Sequence, residues 1–243
     1  MSEPLLRLSG VTKRFGGFVA LDQIELSARR GERIGLIGPN GSGKSTLVDC
    51  ISGVLRNDGG SIYFEGQEIG GLPAYRRARL GLARSFQLPR PFVSMSVLDN
   101  LLVPMLYAAR QHSDSSRHKI AEEAMAILRL VGLAEKAAAI SSGLTQVDMR
   151  KLELARALAA KPKLLIADEA MAGLSSAEVD EILKLLFGLR DQDIAVIMIE
   201  HIMRTVMRFS ERIVVIVAGK KIADGEPGSV IASREVVGAY LGE

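Results

Sequence analysis

Short apolar runs and longer amphipathic stretches occupy different parts of this chain, and their order predicts its architecture. Leu5 to Ser9 and Ile24 to Ala28 alternate or cluster apolar residues over strand length, with Lys13-Arg14-Phe15-Gly16-Gly17 between them as a basic glycine turn. Arg33 to Ile37 is a short apolar run that predicts a buried strand, and Leu47 to Ile51 continues as a helix until Gly53. Asn57-Asp58-Gly59-Gly60 predicts a turn, Ser61 to Glu65 a strand and Gly66-Gln67 the next turn. These short strands suggest a small antiparallel sheet. From Pro73 to Ala160 the pattern turns mainly helical. Helices are predicted from about Pro73 to Leu80, Val97 to Arg110, Arg117 to Val131 and Gln146 to Ala160, with the polar run Gln111 to Arg117 as a loop and Gly132 as a stop. After Lys161-Pro162 strands and helices alternate. Lys163 to Ala167, Ala195 to Glu200 and Ile213 to Ala218 read as strands, and Ser176 to Leu189 and Ile202 to Phe209 as helices. That alternation predicts a parallel sheet covered by helices.

Between the strand at Arg33 and the helix at Leu47 lies Gly38-Pro39-Asn40-Gly41-Ser42-Gly43-Lys44-Ser45-Thr46, which fits G-x-x-x-x-G-K-[ST]. Strand, glycine loop and helix start stand in the order a phosphate-binding loop requires. Glycines let successive backbone N–H groups point at an anion, and the helix N-terminus adds partial positive charge. Lys44 would reach the β- and γ-phosphates and Ser45 would ligate Mg²⁺. Asp168 and Glu169 close the strand at Leu164 to Ala167, at the end of a parallel strand where α/β proteins bind ligands. Asp168 would share the metal with Ser45, and Glu169 would act as general base on the attacking water. His201 follows a neighbouring apolar strand and would reach a γ-phosphate.

Composition changes this picture little. With 243 residues, 48% apolar and 24% charged, the chain is ordinary for a globular protein. Its formal charge of +3 suits an anionic ligand without indicating nucleic acid. Cys50 is the single cysteine, so a disulfide framework is excluded and a core position is expected. No apolar stretch approaches the roughly 18 residues of a membrane span, and the N-terminus lacks a signal pattern. A cytosolic setting is the default.

The set of P-loop, Gln87, a helix carrying Leu152 to Leu158, the strand ending in Asp168-Glu169 and then His201 resembles the ATP-binding subunit of an ABC transporter, over essentially the whole chain. The resemblance implies an α/β fold: a P-loop NTPase parallel-sheet core with an N-terminal antiparallel β subdomain and an inserted helical subdomain. The core would take 1–87 and 161–225, the helices 88–160 and a helical tail 226–243. It implies ATP and Mg²⁺ as ligands, Gln87 contacting the metal and γ-phosphate and coupling to a membrane subunit, His201 as the switch histidine and Phe15 stacking on adenine. Lys13 to Gly17, Arg84-Ser85-Phe86-Gln87, Gly173-Leu174-Ser175, Ile199-Glu200-His201 and the tail Val236 to Gly242 are similar to the branched-chain amino-acid importer branch. Pro89-Arg90-Pro91-Phe92 would meet the permease.

The implied partners are a homologous or identical cassette packed head to tail, membrane permease subunits and, indirectly, a solute-binding protein, with the chain on the cytoplasmic face of the membrane. The family's L-S-G-G-Q signature, which would touch the γ-phosphate bound by the opposite cassette, is matched here by Leu144-Thr145-Gln146-Val147-Asp148. Thr145 keeps the hydroxyl; Val147 replaces glycine and Asp148 replaces glutamine. Thr145-x-x-Asp148 also resembles a capping box. The departure predicts a slow or binding-only nucleotide site at that loop. The rivals are a non-transport ABC ATPase acting on nucleic acid or ribosomes, which would need a coiled-coil insertion, tandem cassettes or a basic tail, and a binding or regulatory subunit that holds ATP without turnover, which Val147 and Asp148 keep open.

Overall fold

The computed structural model describes residues 3–85, 90–107 and 117–241. A long hairpin opens the chain: β1 (Leu6–Phe15) and β2 (Phe18–Ala28) pair antiparallel through three register shifts, turning at Gly16 and Gly17. Lys13, Arg14 and Phe15 therefore finish a strand rather than form the expected basic turn. Cross-strand pairing of Lys13 with Leu21 and Arg14 with Val19 extends the ladder to the hairpin tip. β4 (Gly59–Phe64) and β5 (Gln67–Glu68) complete a four-stranded antiparallel sheet in the order β2-β1-β4-β5. Gln67, expected in a turn, starts β5.

A second sheet is built from β3 (Arg33–Ile37), β6 (Leu82–Ser85), β7 (Leu164–Asp168), β8 (Ala195–Ile199), β9 (Arg212–Val217) and β10 (Lys220–Gly225). Its order is β10-β9-β3-β8-β7-β6, parallel except for β10 against β9. β6 lies inside the stretch that reads as mainly helical. Four residues are too few to show a period, and they form a strand because β7 offers an open edge, with Leu82 opposite Leu164 and Ser85 opposite Ala167. β10 is likewise absent from the sequence pattern, its half-exposed KKIADG carrying little apolar signal.

The parallel sheet buries both faces. Leu165, Ala167, Val196 and Met198 pack toward the helical side, while Leu164, Ile166, Ala195, Ile197 and Ile199 pack toward α1 (Lys44–Ser52) and the antiparallel sheet. The alternation is the two-residue period of a strand. Leu47, Val48, Cys50 and Ile51 of α1 are fully buried, and a buried aliphatic side chain contributes about 1.5–3 kcal/mol. Burial pushes the Cys50 thiol up to about 11, so it is an inert core group.

α2 (Ala74–Leu80) leads into β6, and α3 (Val97–Tyr107), α4 (Arg117–Leu130) and α5 (Gln146–Ala159) form the helical layer between β6 and β7. α6 (Ser176–Gly188) and α7 (Met203–Phe209) connect β7, β8 and β9, and α8 (Pro227–Ile231) and α9 (Arg234–Leu241) close the described chain. Among the described residues, no helix is long and apolar enough to cross a membrane.

Candidate active site

Gly38 to Thr46 connects β3 to α1 and is gripped by both sheets. A β-carbon at Gly38, whose φ is +154°, would sit 2.0 Å from the Ile216 carbonyl oxygen. One at Gly43, φ +108°, would sit 2.6 Å from the Ala20 carbonyl oxygen. Only glycine fits at either position. The loop is also tied to β9 and β10 by the Gly219 N–H, which donates to the Ser42 carbonyl at 2.8 Å.

Lys44 begins α1 and folds back over this loop. Its Nζ donates to the carbonyls of Gly38 at 2.8 Å and Pro39 at 2.9 Å, and lies 3.4 Å from Ser42 Oγ. Burial lowers the affinity of the ammonium for its proton, while Glu169 and Asp168 work in the opposite direction. The lysine therefore lies in the field of both carboxylates sent by β7. Ser45 exposes its side chain at the first turn of α1, and Asn40 and Gly41 are exposed at the loop crest.

Asp168 is the last residue of β7 and is largely buried. Its Oδ2 accepts from Arg84 Nη2 at 2.7 Å, and Arg84 Nη1 meets Asp49 Oδ1 of α1 at 2.5 Å. Glu169 follows with φ +47°, a left-handed conformation that costs a non-glycine residue roughly 1–2 kcal/mol. Its N–H donates to the Ile199 carbonyl at 2.9 Å, which locks the end of β7 onto the end of β8. Its Oε1 lies 2.6 Å from His201 Nε2. Thus Lys44, Asp168, Glu169 and His201, from three separate parts of the chain, converge at the C-terminal ends of β3, β7 and β8.

Glu200 was not singled out by sequence reasoning, yet it is 5% exposed beneath this pair. Its Oε1 accepts from the Met171 N–H at 2.9 Å, and its carboxylate also accepts from the His201 N–H. Burial, reinforced by the Glu169 charge, raises its pKa. Arg150 donates from Nη2 to the Ala172 carbonyl at 3.3 Å, which joins α5 to the segment after Glu169. Arg77, 1% exposed, donates to the carbonyls of Cys50 at 2.6 Å and Ile51 at 2.8 Å, closing the C-terminal end of α1. It also donates to the carbonyls of Leu72 at 2.9 Å and Gly70 at 3.0 Å.

Phe15 is 48% exposed on the hairpin, with Lys13 Nζ 5.5 Å above its ring, so it is not a core phenylalanine. Gln87 and Pro89 lie outside the described residues. Arg90, just beyond them, edges a groove of about 370 Å³. It is lined by Val54, Ala78, Arg84, Pro104, Glu153 and Arg156 among others. Arg156 donates to the Arg90 carbonyl at 2.6 Å and stacks 4.9 Å from the Phe92 ring centroid.

Thr145 is the N-cap of α5 and accepts from the Asp148 N–H at 3.3 Å. The reciprocal half of a capping box is replaced: Asp148 Oδ2 takes the Thr145 hydroxyl at 2.8 Å and Lys136 Nζ at 2.5 Å. Burial alone would raise the Asp148 carboxyl, but those two donors hold it below its ordinary value. The hydroxyl that the signature would offer to a phosphate is thus spent within its own helix turn.

The groups present fit a magnesium nucleotide. The glycine loop and Lys44 form an anion cradle, and the Ser45 hydroxyl and Asp168 carboxylate are hard oxygen donors of the kind Mg²⁺ selects. Among the described residues no group of three or more His, Cys, Asp or Glu side chains is arranged to hold a metal ion by itself. A metal here would complete its shell with phosphate and water, as Mg²⁺ usually does.

Comparison with known proteins agrees with this geometry. Residues 21–172 match the family model described as ABC transporter. The chain is 37% identical to the high-affinity branched-chain amino acid transport ATP-binding protein BraF of Pseudomonas aeruginosa, with both proteins covered in full. The crystal structure of the ADP conformation of MJ1267, an ATP-binding cassette of an ABC transporter, superposes with a TM-score of 0.89 at 31% identity, covering both chains in full. The dimeric structure of MJ0796, a bacterial ABC transporter cassette, superposes with a TM-score of 0.81 at 25% identity over 91% of this chain and 98% of that one.

Proposed function

The chain belongs to the ABC transporter family as an ATP-hydrolysing cassette, and on that premise we propose that it powers uptake of branched-chain amino acids or a related polar solute. The observation that carries the catalytic part is the convergence of Lys44, Asp168, Glu169 and His201 on one end of one sheet. Main-chain N–H groups of Gly41 to Thr46, with Lys44, bind the phosphates, and Phe15 offers its exposed ring to the base. Ser45, Asp168 and Gln87 would hold Mg²⁺, which would supply charge neutralisation at the phosphates. Glu169 accepts the proton of the attacking water, and His201 orients Glu169 while facing the γ-phosphate. Positioning and electrostatics supply most of the rate enhancement in phosphoryl transfer.

Two cassettes would pack head to tail, so that Thr145 of one faces the nucleotide of the other; the likeness to a dimeric cassette supports pairing as such. The 370 Å³ groove, apolar in the middle and edged by Arg90, Glu153 and Arg156, fits a short amphipathic segment of a permease subunit at the cytoplasmic face of the membrane. Substrate class is supported by the full-length likeness to BraF. The internal Thr145–Asp148–Lys136 network supports slow hydrolysis at the site this loop completes, with a homologous cassette of ordinary signature as the natural partner.

Reconstitution with the permease subunits and solute-binding protein tests the reading. ATP turnover is expected to rise when the binding protein carries leucine, and Glu169→Gln is expected to abolish that rise. Stimulation by an unrelated solute alone would remove the substrate assignment, and turnover unaffected by Glu169→Gln would remove the catalytic one.

A further inference from the structure

We propose that Arg84 is a positioning residue that competes with the divalent cation for Asp168, so that metal affinity is set by how Arg84 is shared between Asp168 and Asp49. The proposal rests on the reading of Asp168 as a metal-binding carboxylate, and it concerns a residue to which that reading gives no role. Arg84 stands on β6, the edge strand that runs toward Gln87. Its guanidinium divides its donors between two elements. Nη2 holds Asp168 Oδ2 on β7 at 2.7 Å, and Nη1 holds Asp49 Oδ1 on α1 at 2.5 Å. The Arg84 side chain is 13% exposed, the Asp168 side chain 11% and the Asp49 side chain 27%.

This arrangement has consequences for any cation arriving at Asp168. Burial works against the charge on Arg84, and the two carboxylates more than offset it. Guanidinium is therefore a firm competitor, always charged and able to bond two acceptors at once. One oxygen of Asp168 is committed to it. A divalent ion bound through the other oxygen draws electron density from the same carboxylate and weakens the Arg84 contact, and the converse holds by linkage. Asp49 sets the balance from the far side. It draws the guanidinium toward α1, and without it a larger share of the guanidinium charge falls to Asp168. Lys44, which feels both Asp168 and Glu169, is another cation facing this cluster. Arg84 also lines the groove assigned to the permease segment, so a shift in its hold on Asp168 alters the floor of that groove.

The test uses the full chain with bound ADP and follows Mn²⁺ binding by the loss of its free electron-spin-resonance signal. Arg84→Gln is expected to tighten Mn²⁺ several-fold, because a competing cation is removed. Asp49→Asn is expected to loosen it several-fold, because Arg84 then leans more heavily on Asp168. Opposite signs are the mark of competition, since a merely structural role would weaken binding in both variants. Equal, absent or like-signed changes would overturn the proposal. Should Arg84→Gln fail to fold, Arg84→Lys, which keeps the charge but cannot bond both carboxylates at once, takes its place: tighter Mn²⁺ binding than wild type supports the competition and looser binding overturns it. Wild-type protein that binds nucleotide but takes up no Mn²⁺ would overturn the reading of Asp168 itself, a different result from unshifted affinities in the variants.

Discussion

Glu169 Oε1 and His201 Nε2 lie 2.6 Å apart, although 32 residues separate them, and the pair spans the ends of two adjacent parallel strands. The contact exists because Glu169 takes a left-handed φ of +47°, which turns its side chain toward β8. Glu169→Gln should lower ATP turnover by about 10²–10⁴-fold, the usual contribution of a positioned general base. Nucleotide affinity should stay within a few-fold of wild type. Turnover assays beside a fluorescent-nucleotide titration check both, and activity within tenfold of wild type would exclude the role.

His201→Ala removes the partner of Glu169 and a donor aimed at developing charge. Turnover is expected to fall about 10²-fold, the scale on which a single such donor acts. His201→Gln, which restores a donor, should recover part of the loss in the same assay. Equal activity of the two variants would show that donation is not what the imidazole provides.

Restoring the signature should raise activity at a measurable cost in stability. Val147→Gly with Asp148→Gln frees the Thr145 hydroxyl from Asp148 and relaxes the loop, so partner-stimulated turnover should rise several-fold. Glycine in the first turn of α5 costs about 1 kcal/mol, which a denaturant titration would detect. A double variant whose turnover does not change would mean that the internal network does not limit this site.

Arg77 holds four carbonyls in a place where solvent is excluded. Arg77→Met should destabilise the protein by roughly 2–4 kcal/mol, since orphaned buried acceptors cost about 1–3 kcal/mol each and the buried charge is relieved at the same time. Thermal unfolding should show the loss. Nucleotide affinity should fall with it, because Cys50 and Ile51 end the helix that starts at Lys44. A melting temperature within a degree of wild type would contradict this account.

Glu200 gives a pH signature. Its folded-state pKa lies above its ordinary value of 4.5, chiefly through burial and then through Glu169. A raised pKa contributes stability that is fully present below the unfolded value and is lost as pH rises through the folded one. Glu200→Gln keeps an acceptor for the Met171 and His201 N–H groups but never ionises. Its stability relative to wild type should therefore improve from about pH 4 upward and level off once Glu200 is ionised in the wild type. Parallel stability curves for the two proteins would refute it.

Much of this site is legible in the sequence where chemistry is contiguous. Gly38 to Thr46 announces itself because glycines, lysine and hydroxyls act through neighbouring backbone, and Asp168-Glu169 because a buried strand ends on two charges. What is not legible depends on which strands become neighbours. Arg84 meets Asp49 and Asp168 only because β6 pairs with β7 beside α1, and nothing local to a four-residue strand signals that. Arg77 looks like one more surface charge among Arg76 and Arg79, yet it is buried because carbonyls from two segments, the end of α1 and the stretch before α2, close around it. The capping resemblance at Thr145 leads to the right helix start. The direction of the Asp148 carboxylate, toward Lys136 and the hydroxyl, is decided by tertiary placement.

The strand order β3-β8-β7 has one more implication. Adjacent strands are held about 4.8 Å apart by their ladders, so the phosphate loop leaving β3 and the acid leaving β7 stand roughly 10 Å apart with the histidine-bearing strand between them. That interval is a ruler made of main chain. No side-chain replacement can stretch it, so divergence among such cassettes in speed or partner choice has to arise in the parts that overhang the ruler.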